Sequence, residues 1–163
     1  MSGDQGAGTQ PAVLWLGEKP DLPGLNRHGL DIRHAGWYWY EEALGALAQP
    51  PLVVVLGPDA PEPLTVARLI YRRSPLSYLV FVLDAAAIRD LRESMALTPM
   101  IGTSWSIIDL DAEPVAERIA AAVTASRQRR FLRTSLDAIN VHVGAEKAPQ
   151  DSCEYKRLVI SDR

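Results

Sequence analysis

The chain has 163 residues, of which 47% are hydrophobic and 23% charged, and its 17 basic and 20 acidic side chains give a net charge of −3. This composition is typical of a globular protein and excludes collagen-like, disulfide-rich and wholly disordered chains. The negative charge argues against a nucleic-acid partner or an anionic membrane surface, and no apolar run has the length of a membrane span. Cys153 is the single cysteine, and the first residues lack the features of a signal peptide. We therefore expect a cytoplasmic protein with no disulfide, no metal and no cofactor.

Short apolar runs alternate with helical patterns along residues 12–126, and this alternation is typical of a parallel sheet whose strands are connected by helices. The predicted strands are residues 12–16, 30–34, 52–56, 78–83 and 106–110, and the predicted helices are residues 41–48, 61–73, 85–97 and a long last helix from residue 114. Because crossover connections are right-handed, the natural strand order is 2-1-3-4-5. The sequence therefore predicts a flavodoxin-like, doubly wound α/β domain with five parallel strands, preceded by a flexible leader at residues 1–11.

The connection between the first two strands, from Gly17 to Gly29, is short and contains Pro20 and Pro23. A parallel crossover needs about a dozen residues, usually with a helix, so we expect a first helix that is short or missing. The first and last helices of this topology cover the same face of the sheet, which is then under-covered. We expect Trp15 to fill part of the gap and the rest of this face to contribute to a homodimer interface.

The last helix is predicted to continue past the domain. After an arginine-rich turn at 127–130, apolar residues recur at alternating intervals of four and three positions, at Leu132, Leu136, Ile139 and Val143. This spacing is typical of a coiled-coil seam, and a lone helix with such a face is unstable in water. We therefore expect residues 127–143 to form a signalling and dimerisation helix. In the alternative, the helix breaks near Arg130 and a second helix folds back on the sheet.

Residues 144–163 have the composition of a linker and end in apolar residues for which the sequence offers no partner element. We therefore expect a further domain of the native protein to follow Arg163. If Arg163 is instead the native end, the chain is a free-standing adaptor that binds other proteins.

A resemblance to a known family is carried by residues 39–47, WYEEALGAL, which run into the third predicted strand at 51–56, PLVVVL. This short helix with an Ala-Leu pair, followed by a buried strand, resembles the receiver domains of bacterial response regulators. The resemblance covers residues 12–126 and lies in pattern and element order. Receivers have two acidic residues after the first strand, a phosphoacceptor aspartate at the end of the third, Ser or Thr after the fourth and Lys after the fifth.

The residues at these receiver positions are different in this chain. Gly17-Glu18 stands where the acid pair belongs, and Leu56-Gly57-Pro58 replaces the phosphoacceptor, with Asp59 two positions late. Asp84 stands at the hydroxyl position, and Asp109 stands where lysine belongs. A phosphoryl group would add about −2 of charge to a site that is already negative. The resemblance therefore implies a pseudo-receiver with no catalytic residue and a vestigial acidic site composed of Glu18, Asp59, Asp84 and Asp109.

These acidic residues have two interpretations. They all lie at the carboxyl ends of strands, where doubly wound folds bind ligands, so their oxygens are candidates for a divalent cation. In the other interpretation, which we prefer, Asp59, Asp84 and Asp111 are N-caps and turn residues before helices. The enzymatic alternative is an atypical Mg²⁺-dependent aspartyl phosphoacceptor that uses Asp59 with Glu18.

Four consecutive aromatic residues, Trp37, Tyr38, Trp39 and Tyr40, cannot all face one core. They form either a surface for a partner or ligand, or a loop that packs over the bare edge strand. The segments at 127–140 and 157–163 are similar to the signalling helices and the lead-in to PAS domains in multidomain sensor kinases. Together these patterns predict a regulatory and dimerisation module of a two-component signalling protein, most simply a sensor histidine kinase, with no chemistry of its own.

Overall fold

The computed structural model describes residues 12–18, 21–97 and 104–146, with the side chains of Pro23 and of residues 139–146 outside that description. The predicted leader at 1–11, Cys153 and the apolar residues before Arg163 lie outside the described residues. The elements in chain order are β1 (Val13–Leu16), α1 (Pro23–Arg27), β2 (Ile32–Ala35), a 3₁₀ turn (Trp37–Trp39), α2 (Tyr40–Gly45), β3 (Val53–Leu56), α3 (Pro63–Arg73), β4 (Tyr78–Leu83), α4 (Ala85–Leu97), β5 (Trp105–Asp109) and α5 (Val115–Glu146).

The five strands form one parallel sheet in the order β2-β1-β3-β4-β5, so the predicted fold class and strand order are confirmed. β1 and β3 are buried along their whole length, as expected for central strands with helices on both faces. β2 is an edge strand, as predicted, but its two adjacent middle residues, Arg33 and His34, are both exposed, so its exposure is not confined to one face. The first helix, α1, has only five residues.

Alternate residues of the strands build two cores, one on each face of the sheet. On the first face, Trp15 is fully buried and packs with Leu25 of α1 and with Ile119 and Val123 of α5. Trp15 thus occupies space on the face that the short α1 covers only in part. His34, beside Trp15 in the register of β1 and β2, is exposed on this face.

The second face is covered by the other helices. Leu14, Leu16, Val54, Leu56 and Phe81 of the sheet pack there against α3 and α4, which contribute Leu64, Ala67, Ile70, Ile88 and Leu91. Helix α3 begins at Pro63 rather than at Pro61, and its N-cap residue is Glu62, in the left-handed conformation with φ 74°. The prediction that Asp59 caps this helix is therefore wrong.

Helix α5 runs from Val115 to Glu146 without interruption, so the long C-terminal helix is confirmed and the alternative with a break near Arg130 is wrong. The chain divides into two compact units, Met1–Arg127 and Gln128–Arg163. Within the described ranges, no helix is both long enough and apolar enough to cross a bilayer.

Candidate functional site

The candidate site lies where β1, β2 and β3 end, and we define the carboxyl-edge site by Gly17, Glu18, His34, Trp37 and Asp59. The chain leaves β1 towards one face of the sheet and β3 towards the other, which places the topological switch point between these two strands. Doubly wound folds bind ligands in the crevice at this point. The carboxyl-edge site therefore lies where this class of fold places its ligands.

Two glycines allow the ends of the three strands to approach closely. The N–H of Gly17 donates to the carbonyl of Ala35 at 2.9 Å, and the N–H of Gly57 donates to the carbonyl of Leu16 at 2.8 Å. Gly17 has φ +93°, and a Cβ there would lie 2.3 Å from Trp37 Nε1 and 2.4 Å from Asp59 Oδ1. Position 17 is thus closed to any side chain by both its conformation and its neighbours.

The backbone of Glu18 is held on both sides. Its N–H donates to Asp59 Oδ1 at 2.7 Å, and its carbonyl accepts a hydrogen bond from Trp15 Nε1 at 3.1 Å. The preceding carbonyl, of Gly17, accepts a hydrogen bond from His34 Nε2. Because a carbonyl can only accept, this contact requires the proton of the His34 ring on Nε2. These polar side chains act on the backbone of the loop after β1.

The other predicted acidic residues act within their own turns. Asp84 Oδ1 accepts the N–H of Ala87 at 2.8 Å at the start of α4, and Asp109 Oδ1 accepts the N–H of Asp111 at 3.0 Å. The structure thus places the Asp59 carboxylate on the backbone N–H of Glu18. Asp84 caps α4, as the preferred interpretation predicts, whereas Asp109 stabilises the turn that contains Asp111. In the described part of the chain, no group of three or more His, Cys, Asp or Glu residues is placed to hold a metal ion.

The four consecutive aromatic residues differ in how far they are buried. Trp37 is buried, with 7% of its surface exposed, whereas Tyr38 and Trp39 are 88% and 62% exposed. The buried Trp37 Nε1 has no hydrogen-bond partner among the described residues. Tyr40 is half-buried and donates to Glu41 Oε1 at 3.4 Å. Partial burial and the neighbouring Glu41 carboxylate raise the pKa of the Tyr40 hydroxyl.

The predicted seam of α5 carries exposed apolar side chains. Leu132 and Leu136 are 59% and 58% exposed, whereas the side chains of Ile139 and Val143 lie outside the described residues. Phe131 is exposed as well, and the sequence analysis missed it because it does not fit the seam spacing. These residues form an apolar surface on a helix whose other residues there are mostly polar.

A cavity of about 530 Å³ between α3 and α4 is a feature that the sequence analysis missed. Its floor is apolar and its rim carries charges; the lining includes Glu62, Leu64, Arg68, Leu83, Asp90 and Leu91. No short motif signals such a cavity, because it results from the spacing of two helices that pack on the same strands.

Comparison with protein-family models finds no match to this chain, and a search of curated proteins finds none either. The receiver resemblance therefore remains an interpretation of the sequence pattern. The structure itself establishes a flavodoxin-like α/β fold, with five parallel strands in the order 2-1-3-4-5.

Proposed function

We propose that this chain is a receiver-like regulatory and dimerisation module of a bacterial two-component signalling protein, most simply a sensor histidine kinase. In this proposal the module does no phosphotransfer, and α5 passes a signal to a domain that follows in the same polypeptide. The observation that carries the proposal is the exposed apolar surface of α5 at Leu132 and Leu136.

An exposed seam of this kind favours a partner. Full burial of a leucine side chain is worth about 1.5–3 kcal/mol, so covering two half-exposed leucines on each of two helices is a substantial gain. The seam spacing continues at Ile139 and Val143 in the sequence. A second copy of the same helix supplies a surface of matching length and spacing.

The geometry of the acidic residues supports a scaffold that has lost phosphotransfer. Asp59 Oδ1 is engaged by the Glu18 N–H. Asp84 follows β4 and Asp109 is the last residue of β5, at the positions where receivers have a hydroxyl and an ammonium group. A phosphoryl group on Asp59 would thus lack both of the side chains that receivers use to bind its oxygens.

The dimer is tested by measuring the mass of the full chain by light scattering. We expect twice the chain mass for the wild type and a monomer for L132S/L136S. The matched control is L76S/L97S, which makes the same chemical change at two leucines that are exposed in the first unit. A dimer that persists in L132S/L136S, or one that is lost equally in the control, contradicts the role of the seam.

The second candidate function, a Mg²⁺-dependent aspartyl phosphoacceptor, is favoured by one contact, the 2.7 Å hydrogen bond that brings Asp59 beside Glu18. It is tested by titrating Mg²⁺ with beryllofluoride, which mimics a phosphoryl group, and recording the fluorescence of Trp15 and Trp37. The control variant is D84N, which changes an acidic residue that caps α4. A saturable change that D59N abolishes and D84N retains would overturn the pseudo-receiver proposal.

A further inference from the structure

The indole N–H of Trp37 is the unexplained group of the carboxyl-edge site. It is buried, and no acceptor among the described residues takes it. Leaving a buried donor unsatisfied is energetically costly, so a partner is expected within reach. Trp37 Nε1 and Asp59 Oδ1 lie 2.3 and 2.4 Å from the same point, the place where a Cβ of Gly17 would be, so the two atoms are close neighbours.

Asp59 has the acceptor capacity that this donor needs. A carboxylate offers about four acceptor positions, and Asp59 Oδ1 takes a single described hydrogen bond, from the N–H of Glu18. The side chain of Asp59 is exposed, which leaves room for it to rotate, whereas the Trp37 ring is enclosed by the core. The absence of a Cβ at Gly17 keeps the space between the two groups open.

We propose that Asp59 is a positioning residue that holds Trp37: a small rotation of its carboxylate lets it accept the Trp37 indole N–H while it keeps the Glu18 N–H. This contact connects the loop after β3 to the loop after β1 and to the 3₁₀ turn after β2. Trp37 is followed directly by the exposed pair Tyr38 and Trp39, so the position of Trp37 determines how that pair is presented.

The consequence is regulatory. A cationic group that takes the Asp59 carboxylate as its own partner releases the Trp37 indole and changes the presentation of Tyr38 and Trp39. As a route for a signal, this inference rests on the proposed function. The contact between Asp59 and Trp37 does not depend on that function and is tested separately.

The experiment is an NMR measurement of the tryptophan indole groups in the full chain, with the Trp37 signal assigned from W37F. Trp15, whose indole donates to the Glu18 carbonyl, is the reference for an internal hydrogen bond, and Trp39, which is 62% exposed, is the reference for a solvent-exposed indole. In the wild type, we expect the temperature coefficient of the Trp37 indole proton to match that of Trp15. A coefficient that matches Trp39 overturns the proposal without any further variant.

The variants D59A and D59N then test the acceptor itself. In D59A we expect the Trp37 indole proton to exchange with solvent about tenfold faster, and the backbone amides of residues 36–40 to exchange faster as well. D59N keeps the size of the side chain and one oxygen, and we expect a smaller effect. D84A, which removes a cap from α4, serves as the control and leaves Trp37 unchanged.

An unchanged Trp37 signal in both Asp59 variants overturns the proposal. If D59A unfolds, the D59N spectrum and the wild-type temperature coefficient show whether Asp59 accepts the Trp37 indole N–H. Light scattering on the same samples reports the dimer independently, because the seam of α5 is intact in both variants. Failure of the contact and failure of the proposed function therefore give different results.

Discussion

Replacing Gly17 with alanine is the sharpest test of the geometry at the carboxyl edge. The position has φ +93°, and holding an L-residue in left-handed conformations costs about 1–2 kcal/mol. The added Cβ would lie 2.3 Å from Trp37 Nε1 and 2.4 Å from Asp59 Oδ1. Trp37 is enclosed by the core, and a shift of Asp59 away from the added Cβ would lengthen its hydrogen bond to the Glu18 N–H, so the overlap adds about 1–3 kcal/mol. We expect G17A to lower the free energy of unfolding by about 2–5 kcal/mol.

The matched control is G29A, because Gly29 also has a positive φ, +60°, but nothing lies within 4 Å of its missing Cβ. We therefore expect G29A to lower the free energy of unfolding by the conformational contribution alone, about 1–2 kcal/mol. The assay is urea unfolding followed by circular dichroism, since Trp37 fluorescence itself responds to the change. Protein concentration is kept fixed, because dimer formation would add a concentration-dependent contribution to the stability. If G17A and G29A lose the same stability, the close approach of Trp37 and Asp59 to Gly17 is wrong.

Two further predictions concern single side chains. Glu62 has φ 74° and its side chain makes no capping hydrogen bond. We therefore expect E62G to raise the free energy of unfolding by about 1 kcal/mol in the same urea assay. A lower free energy of unfolding in E62G would contradict a strained conformation at this position. Because the pKa of Tyr40 is raised, the folded protein binds the phenolic proton more tightly than the unfolded chain does. The Tyr40 contribution to stability is therefore complete at neutral pH and is lost as the pH rises through and above the ordinary value of 10.0. We expect E41Q to lower the Tyr40 pKa in an ultraviolet titration with Y40F as the reference, and an unchanged pKa would contradict a contribution from the Glu41 charge.

The sheet could be predicted because the residues of each strand indicate how far that strand is buried. The continuous apolar runs of β1, β3 and β4 mark strands that are covered on both faces, and the alternation of β2 marks an edge. Right-handed crossovers then leave few arrangements of five strands. None of this requires knowledge of a distant contact.

The carboxyl-edge site could not be predicted in the same way. Asp59 before Pro61 is a good local capping signal, but the carboxylate instead binds the N–H of Glu18, which is distant in sequence and brought near only by the pairing of β1 with β3. The sequence also could not show which of the consecutive aromatic residues is buried. Successive residues of a 3₁₀ turn point about 120° apart, so one of Trp37, Tyr38 and Trp39 faces inward, and the position of the turn decides which.

The same contacts bear on the choice between a scaffold and a phosphoacceptor. A phosphoacceptor aspartate must present a carboxylate oxygen to the incoming phosphorus, whereas Asp59 Oδ1 is committed to a backbone N–H at 2.7 Å. Hydrogen bonds to charged groups are worth about 1.5–3 kcal/mol, and exchanging this one for a phosphoryl contact would also release the loop after β1. At the carboxyl ends of β4 and β5, the positions that correspond to the receiver hydroxyl and ammonium groups are Asp84 and Asp109, which cannot offset that loss. The hydrogen bond that holds the backbone at the carboxyl edge is therefore also the contact that argues against Asp59 as a phosphoacceptor.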